Sequence, residues 1–493
     1  MLKKDMQVGP IPSNKEAYGN SLRIAIPAVI EMVSISLMDM IDTVMVGRVG
    51  SQAMAAVGLT GQPRMLILSI FFALNIALTA IIARKKGEGD LPAARNCLSH
   101  GLLINIVLGL KLTMLAIIFA RPLMGLAGAQ PDTIHLATSY FRITNVVLIF
   151  QIMTMTICVA QRAIGNTKVA LRVNVTAKVV SVILNFLLIE GRLGFPRLEV
   201  DGVAYARSIA AVVAFGLALL SVLHKESPLR LRLQDFLKAE NFKKAFIVLG
   251  RFFRSLFMFV YRNPLTRELG LNKNSKEYTS MGDRIGKQTA NGMLEQISVR
   301  FGFFAYARIV ADLGTNEFAA HVIAMQLMVL SFTFADGIGA ATTSLVGQNL
   351  GKNRPDLSSI YGKIGMRLAI ICAAALSTFC ILFRYQFAGL FSTDPWIIST
   401  AGGLILILAV ILPIQTSQLV MGGSLRGAGD TKYVALTMLI AVGVMRPLLG
   451  FIMVIPLGWG LTGAWVAMIF DQAARLFMLF NRFRSGKWMK VKV

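Results

Sequence analysis

The chain repeats itself at one fixed offset of 264 residues. This offset carries Glu31 onto Glu295, and it carries residues 162–168 onto residues 426–432, where the pattern Arg, Gly, Thr, Lys recurs at the same spacing. Both halves are strongly apolar. Duplicated bundles of membrane helices that meet at a central site are characteristic of secondary transporters. The repeat therefore predicts a duplicated membrane protein, with transport as its leading function.

Composition supports a membrane protein. Of the 493 residues, 55% are hydrophobic and only 15% are charged, and the mean hydropathy is +0.65. Apolar runs of about 20 residues, the length that crosses a bilayer, recur along the chain. We predict an all-α integral membrane fold of twelve transmembrane helices in two pseudo-symmetric six-helix bundles. The predicted helices lie near 20–46, 62–84, 97–120, 134–160, 171–190, 202–224, 288–311, 320–346, 364–384, 398–422, 432–456 and 461–482.

These helices divide the chain into three parts. Residues 1–224 are predicted to form an N-terminal six-helix lobe and residues 288–493 a C-terminal six-helix lobe. Residues 225–287 form a basic linker between them. Within the linker, residues 243–261 combine aromatic and aliphatic residues with arginines, which predicts an amphipathic helix on the inner membrane surface in contact with lipid. The alternative is that this segment belongs to the seventh helix.

The basic residues predict the orientation of the chain. The formal net charge is +25, and 36 of the 50 Lys and Arg residues fall in the segments that would be cytoplasmic if the N-terminus is inside. The predicted external loops contain no lysine, and Arg64 is assigned to one of these loops. This is the positive-inside bias of membrane proteins. We therefore expect a multi-pass protein of the cell membrane, the inner membrane in a bacterium, with both termini in the cytoplasm. Nucleic-acid binding is not needed to explain the charge.

The sequence lacks the residue patterns that several kinds of catalytic and metal site require. The four Cys and four His residues show no metal-like spacing, and the chain contains neither a GxxxxGK[ST] phosphate loop nor a GxSxG nucleophile motif. We therefore expect no enzyme, no cofactor and no bound metal. Without an ATPase motif, energy for transport must come from an ion gradient. A monomer is expected.

Acidic residues inside the predicted helices are the candidates for function. A carboxylate at the bilayer centre costs about 3 kcal/mol even on the lenient insertion scale, so such residues are functional by default. There are six of them: Glu31, Asp39, Asp42, Glu295, Asp336 and Asp471. Acids in these positions favour cationic cargo.

Asp39 and Asp42 stand out among these acids. They are three residues apart and so share a face of the first helix. Repulsion between two neighbouring carboxylates favours protonation of one of them, which suits a proton carrier. The alternative is that each merely bonds backbone near the helix end. The repeat favours a functional role for the Asp pair. It retains Glu31 as Glu295 but has an aromatic pair in place of Asp39 and Asp42. The Asp pair is therefore the better candidate for coupling, and the shared Glu is the better candidate for a structural role.

Several motifs in order resemble one family, the multidrug and toxic compound extrusion (MATE) transporters, with a leaning toward its DinF-like branch. The resemblance covers the chain from about residue 20 to 480, apart from the linker. It implies two six-helix lobes and export of organic cations in exchange for protons or sodium ions. The motifs are MDMIDTVMVGRVGSQAMAAVGL (38–59), QRAIGNTK (161–168), DGVAYA (201–206), ADGIGAATTSLVGQNLGK (335–352), SLRGAGDTK (424–432) and LTGAWVA (461–467).

The resemblance also implies roles for particular residues. Asp42 matches the first-helix Asp that couples cations in the N-terminal lobe, and Asn185 matches an Asn near it. Glu295 matches a Glu implicated in sodium binding in the NorM-like branch. The tenth-helix Asp of that branch is Gln415 here, which carries no charge and favours protons at Asp42.

The remaining acids and the alternatives complete the prediction. Glu31 and Asp336 join Glu295 and Gln415 as a possible second cation site or as structural residues. A flippase for a lipid-linked precursor, which shares the duplicated plan and usually has a more cationic cavity, is the second functional hypothesis. A membrane-embedded enzyme is the third, although no convergent nucleophile, base or metal set is present in the sequence.

Overall fold

The protein is described from a computed structural model. The structure describes residues 7–231 and 281–491, apart from residues 48, 50, 128, 130–132, 190, 225, 226 and 393. The predicted interfacial helix at 243–261 lies outside the described residues and stays a prediction.

Every regular element among the described residues is helical. Fifteen α-helices follow one another in the described parts of the chain, and a π-helical segment, Leu439–Met445, joins α13 to α14. The helices are α1 Asn14–Gly47, α2 Ser51–Gly87, α3 Leu91–Ile118, α4 Ala120–Leu126, α5 Ile134–Val146, α6 Leu148–Ala163, α7 Thr167–Leu188, α8 Glu199–Leu223, α9 Met281–Ala311, α10 Thr315–Gly351, α11 Pro355–Gly389, α12 Pro395–Gly427, α13 Thr431–Met438, α14 Arg446–Val454 and α15 Gly460–Arg484.

The predicted fold class is confirmed. Ten helical segments in the described residues are long and apolar enough to cross a membrane, and the pair α5 and α6, bent by 50°, adds an eleventh. Helix α9, 31 residues long, occupies the position of the remaining predicted span. The twelve-span plan therefore stands, with two spans that are less regular than the sequence suggested, namely the bent pair and the span interrupted by the π-helix.

Sequence explains where several helices begin. The Ser13 hydroxyl accepts a hydrogen bond from the Glu16 amide at 3.2 Å, ahead of α1. Asp90 accepts from the Ala93 amide at 3.0 Å at the start of α3, and Asp394 accepts from the Trp396 amide at 2.8 Å at the start of α12. These side chains satisfy amides of the first helical turn that have no partner within the helix.

Contacts divide the chain into two compact units. The N-terminal unit comprises Ser34–Lys85 and Asp90–Ala290, and the C-terminal unit comprises Met1–Val33, Lys86–Gly89 and Asn291–Val493. Helix α1 thus contributes its first part to one unit and its second part to the other. The predicted lobes rest on the sequence repeat rather than on contacts, and their boundaries stay a prediction.

Within the N-terminal unit, α8 is the central helix. It packs against α5, α6 and α7, while α3 packs against α6. Apolar side chains such as Val203 on α8 and Tyr140 on α5 form one of several small cores. The second part of α1, from Ser34 to Gly47, belongs to the same unit.

Within the C-terminal unit, α12 is the central helix. It packs against α10, α11 and α15, and α14 packs against α15. Gly427 allows the approach of α10, because a Cβ atom there would lie 2.2 Å from the Thr343 carbonyl oxygen. A large apolar core among the described residues of this unit surrounds Leu408 of α12 and Trp465 of α15.

Candidate ion-coupling site

Asp42 lies at the centre of a polar cluster in the N-terminal unit. Its side chain on α1 is fully buried. One carboxylate oxygen, Oδ1, accepts a hydrogen bond from the Asn185 side-chain amide on α7 at 2.7 Å. The other oxygen, Oδ2, lies 4.0 Å from the Lys178 ammonium and 3.9 Å from the Arg207 guanidinium. The predicted proximity of Asp42 and Asn185 is therefore observed, and two cations flank the same carboxylate.

Asp39 takes part in the cluster through Lys178. The Lys178 ammonium is in direct contact with the Asp39 carboxylate, whose side chain is half exposed. Because the same ammonium lies beside Asp42, the two acids share one cation. Both carboxylates contact side chains of other helices, so the alternative that they only bond nearby backbone does not describe them.

Tyr140 and Arg64 extend the cluster away from α1. Arg207 of α8 donates a hydrogen bond to the Tyr140 hydroxyl at 2.8 Å. Arg64 donates to the Gln151 side-chain oxygen at 2.5 Å. Arg64 lies well inside α2, which begins at Ser51, so its assignment to an external loop was wrong. The helix starts earlier than its apolar run, and hydropathy alone does not reveal that.

The charge balance of this cluster was not anticipated. Lys178 and Arg207 bring two cations to the two acids, Asp39 and Asp42, and a third cation, Arg64, interacts electrostatically with Arg207. Because Lys178 and Arg207 lie beside these acids, the acids alone do not indicate a cationic cargo. Single basic residues inside the apolar runs of the fifth and sixth helices were the signal in the sequence.

The proposed second site has a different character. The Glu295 carboxylate is buried and pairs with Arg426, with Nη2 to Oε1 at 2.5 Å and Nε to Oε2 at 3.4 Å. Gln415 is also buried and donates a hydrogen bond to the Ser331 hydroxyl at 2.9 Å. Glu295 and Gln415 therefore each have a partner of their own, which agrees with the structural role predicted for Glu295.

Glu31 and Asp336 also belong to the C-terminal unit. Glu31 is fully buried, whereas Asp336 is exposed and interacts electrostatically with Arg426. Their predicted role in a second cation site stays a prediction. Among the residues that the structure describes, no group of His, Cys, Asp or Glu side chains has a geometry that would hold a metal ion.

We predict that Glu295→Gln lowers the stability of the protein but leaves the coupling of export to the proton gradient unchanged. The change would leave Arg426, one-fifth exposed, without its carboxylate, which should cost about 2 kcal/mol, less than for a fully buried pair. Thermal unfolding in detergent measures this loss. Replacing Arg426 by Met in the same chain should restore part of it, and a single variant as stable as the parent would contradict the structural role.

An apolar cavity of about 770 Å³ lies between α1 and α7 within the N-terminal unit. On α1, its lining positions centre on the face opposite Asp39, since each residue advances by about 100° around the helix. The cavity is therefore not part of the carboxylate cluster. Its lining residues are Leu37, Met40, Ile41, Val44, Met45, Val182, Ile183 and Phe186.

Comparison with known proteins now gives the class of the chain. The MatE family model matches twice, at residues 27–187 and 293–452, once in each repeat. The fold and its duplication thus define a membrane transporter. The chain belongs to the MatE family of multidrug and toxic compound extrusion transporters.

Relatives extend over nearly the whole chain. An uncharacterized transporter of Bacillus subtilis, YisQ, is 26% identical over 94% of this chain and 93% of its own length. A probable multidrug resistance protein of Thermotoga maritima, NorM, is 26% identical over 95% of this chain and 92% of its own. The first of these relatives is named a transporter and the second a multidrug resistance protein, which fits the expectation that the chain is not an enzyme.

Solved structures show the same fold. An outward-facing MATE family transporter superposes with a TM-score of 0.81 at 21% identity and covers 95% of both chains. A transporter from Pyrococcus furiosus superposes with a TM-score of 0.82 at 20% identity and covers 97% of both, and it is described as having a binding pocket of reverse polarity that suggests a different function. The leaning toward the DinF-like branch stays a prediction.

Proposed function

We propose that the protein is a secondary active antiporter that exports cationic or amphipathic organic compounds in exchange for protons. It would work as a monomer in the cell membrane, the inner membrane in a bacterium, with both termini in the cytoplasm. Asp42 would be the residue that carries the proton. The observation that supports this proposal is the fully buried Asp42 carboxylate, with one oxygen bonded to Asn185 and two cations near the other.

Burial and charge act in opposite directions on Asp42. Removing a carboxylate from water favours its neutral form, whereas nearby cations favour its charged form. The side chains of Lys178 and Arg207 are partly exposed, at 25% and 31%. Water can therefore solvate these two cations when Asp42 is neutral. A carboxylate balanced in this way can exist in both protonation states, which a proton carrier requires.

The atoms around Asp42 suit a proton better than sodium. Hard metal cations are held by several oxygen ligands. The neighbours of Asp42 present N–H donors and positive charges, and Asn185 supplies one further side-chain oxygen, which makes no hydrogen bond with the described residues. Both ions would meet the two cations, but sodium also needs several oxygen ligands, whereas a proton needs only the carboxylate.

The C-terminal unit gives little support to sodium coupling. Glu295, the acid that matches a sodium ligand of relatives, already has Arg426 as a counter-ion. Gln415 stands where those relatives have an acid, and it carries no charge. Sodium binding at this position would have to displace an arginine.

Antiport follows from competition for the two acids. A cargo cation that approaches Asp39 and Asp42 must displace the Lys178 ammonium, and a proton on Asp42 removes the charge that would attract the cargo. Proton and cargo therefore exclude each other, so the binding of one at either membrane face releases the other.

Proteoliposomes test this proposal. Purified protein is reconstituted, the vesicles are loaded with a fluorescent organic cation, and efflux is followed under a pH gradient and, separately, under a sodium gradient. We expect efflux to rise with the pH gradient and to be unaffected by sodium. Efflux that follows only the sodium gradient would contradict proton coupling.

A flippase for a lipid-linked precursor is the second candidate. It is favoured by the three cations Lys178, Arg207 and Arg64, which could hold the phosphate groups of such a lipid. A flippase would move a labelled lipid-linked phosphate between leaflets and show no efflux of organic cations under a pH gradient.

A further inference from the structure

A second buried ionic cluster lies in the C-terminal unit, at Asp471 of α15. Its Oδ2 is in direct contact with the Arg446 Nε atom, and its Oδ1 accepts a hydrogen bond from Arg475 Nη2 at 2.8 Å. Asp471 and Arg446 are fully buried, and Arg475 is 4% exposed. The proposed function makes no use of this cluster.

The cluster has more positive than negative charge. Two guanidinium groups share one carboxylate, and within the described residues no other acid lies within ion-pair distance of either. Arg446 Nη1, Arg446 Nη2 and Arg475 Nε are buried and make no hydrogen bond with the described residues. An uncompensated charge in a dry interior costs several kcal/mol, so the cluster is well suited to receive an anion.

Aromatic side chains of α9 form one wall of this cluster. The Arg446 guanidinium lies 4.5 Å from the ring centre of Phe303 and 5.8 Å from that of Tyr306. The Tyr306 hydroxyl is buried and has no hydrogen-bond partner among the described residues. An unused hydroxyl donor is therefore present on a side chain whose ring lies close to the Arg446 guanidinium.

The backbone brings these residues together in an unusual way. Gly302 lets α9 approach the π-helical segment, since a Cβ atom there would lie 2.0 Å from the Val442 carbonyl oxygen. Arg446 follows directly after this segment. Single π-helical turns within α-helices occur frequently at functional sites, which supports a function for the arginine that follows.

The repeat shows what the cluster lacks. The offset of 264 residues carries Asp42 onto Tyr306 and Arg207 onto Asp471. In the N-terminal unit, the carboxylate of the first helix lies beside an arginine of the sixth. In the C-terminal unit, the corresponding position on α9 has a tyrosine hydroxyl and no carboxylate, although an arginine lies beside it.

We propose that the cluster binds one chloride-sized monovalent anion between the Arg446 guanidinium and the Tyr306 hydroxyl. The anion takes the place of the carboxylate that the N-terminal unit has at Asp42, and it neutralises the excess charge of the two arginines. A small anion fits this proposal because Asp471, Arg446, Arg475 and Tyr306 are all buried, which excludes the headgroup of a lipid or a large organic anion. This inference does not rest on proton coupling or on the nature of the cargo.

Binding of radiolabelled chloride tests the proposal. The full chain in detergent is titrated with chloride at constant ionic strength and pH, with gluconate as the replacing anion, and thermal unfolding is measured in parallel. We expect saturable binding of one chloride per chain and an unfolding temperature that rises with chloride or bromide but not with gluconate, because a ligand stabilises the state that binds it.

Two variants locate the site. Tyr306→Phe removes one donor to a charged ligand and should weaken chloride binding about tenfold, the equivalent of roughly 1.4 kcal/mol. Tyr361→Phe makes the same change at another buried tyrosine of this unit, whose hydroxyl accepts a hydrogen bond from Asn20, and should bind chloride like the parent.

Arg446→Gln should abolish chloride binding, but that variant can also fold poorly, so Tyr306→Phe decides the outcome. Absence of bound chloride in the parental protein would overturn the proposal. Equal chloride affinity in Tyr306→Phe and Tyr361→Phe would also overturn it, because the anion would then lie elsewhere.

Discussion

Replacing Asp42 by Asn is expected to abolish the coupling of export to a pH gradient while the protein still inserts and folds. The substitution keeps the size of the side chain, and the new amide oxygen can still accept the hydrogen bond from Asn185. It removes the group that gains and loses a proton. A proton gradient equivalent to about 100 mV supplies about 2.3 kcal/mol for each coupled proton. This energy sustains a roughly fiftyfold accumulation of cargo at about 1.4 kcal/mol per decade. The variant should lose that whole factor.

The measurement is accumulation of a fluorescent organic cation by reconstituted vesicles. Asp312→Asn serves as the matched control, because Asp312 is exposed at the end of α9 and pairs only with Arg308 at 3.1 Å among the described residues. This control should transport like the parent. If Asp42→Asn accumulates cargo at the parental rate while Glu295→Gln does not, coupling lies in the C-terminal unit.

Replacing Asp471 by Asn is expected to have the largest effect on stability. The change leaves Arg446 and Arg475 buried together without their carboxylate. Breaking a buried pair by removing one partner costs about 3–5 kcal/mol, because the remaining charge is uncompensated. Denaturation in detergent and the yield of folded protein measure this loss.

The same Asp to Asn change at Asp312 supplies the control for Asp471. That ion pair is exposed, and its loss should cost about 0.5 kcal/mol or less. Adding Arg446→Leu to Asp471→Asn returns the cluster to its original net charge and should recover part of the lost stability. A single Asp471→Asn variant as stable as the Asp312 control would show that the cluster is not the uncompensated ionic group described above.

The sequence predicted the fold because its evidence is distributed along the whole chain. The repeat and the apolar runs place twelve spans, and small errors at helix ends do not change the count. It did not predict the π-helical segment at Leu439–Met445 or the bend between α5 and α6 at Val147. Both depend on how a span packs against its neighbours, and the apolar pattern of a span does not encode that.

The candidate site was predicted only in part. Asp42 and Asn185 could be paired because the resemblance to a family places them together. Lys178 and Arg207 could not, since each is a single basic residue in a different apolar run, and periodicity does not show that both face Asp42. The pairing of Arg446 and Arg475 with Asp471 could not be predicted for the same reason, because each arginine is a single basic residue in a different apolar run.

Proton release on cargo binding tests the central proposal most directly. The purified protein in weakly buffered detergent is mixed with an organic cation, and a pH-sensitive dye records protons released to the solution. The parental protein should release protons as the cation binds, and Asp42→Asn should bind the cation without releasing any. Equal proton release from the parent and from Asp42→Asn would contradict the assignment of Asp42 as the residue where proton and cargo compete.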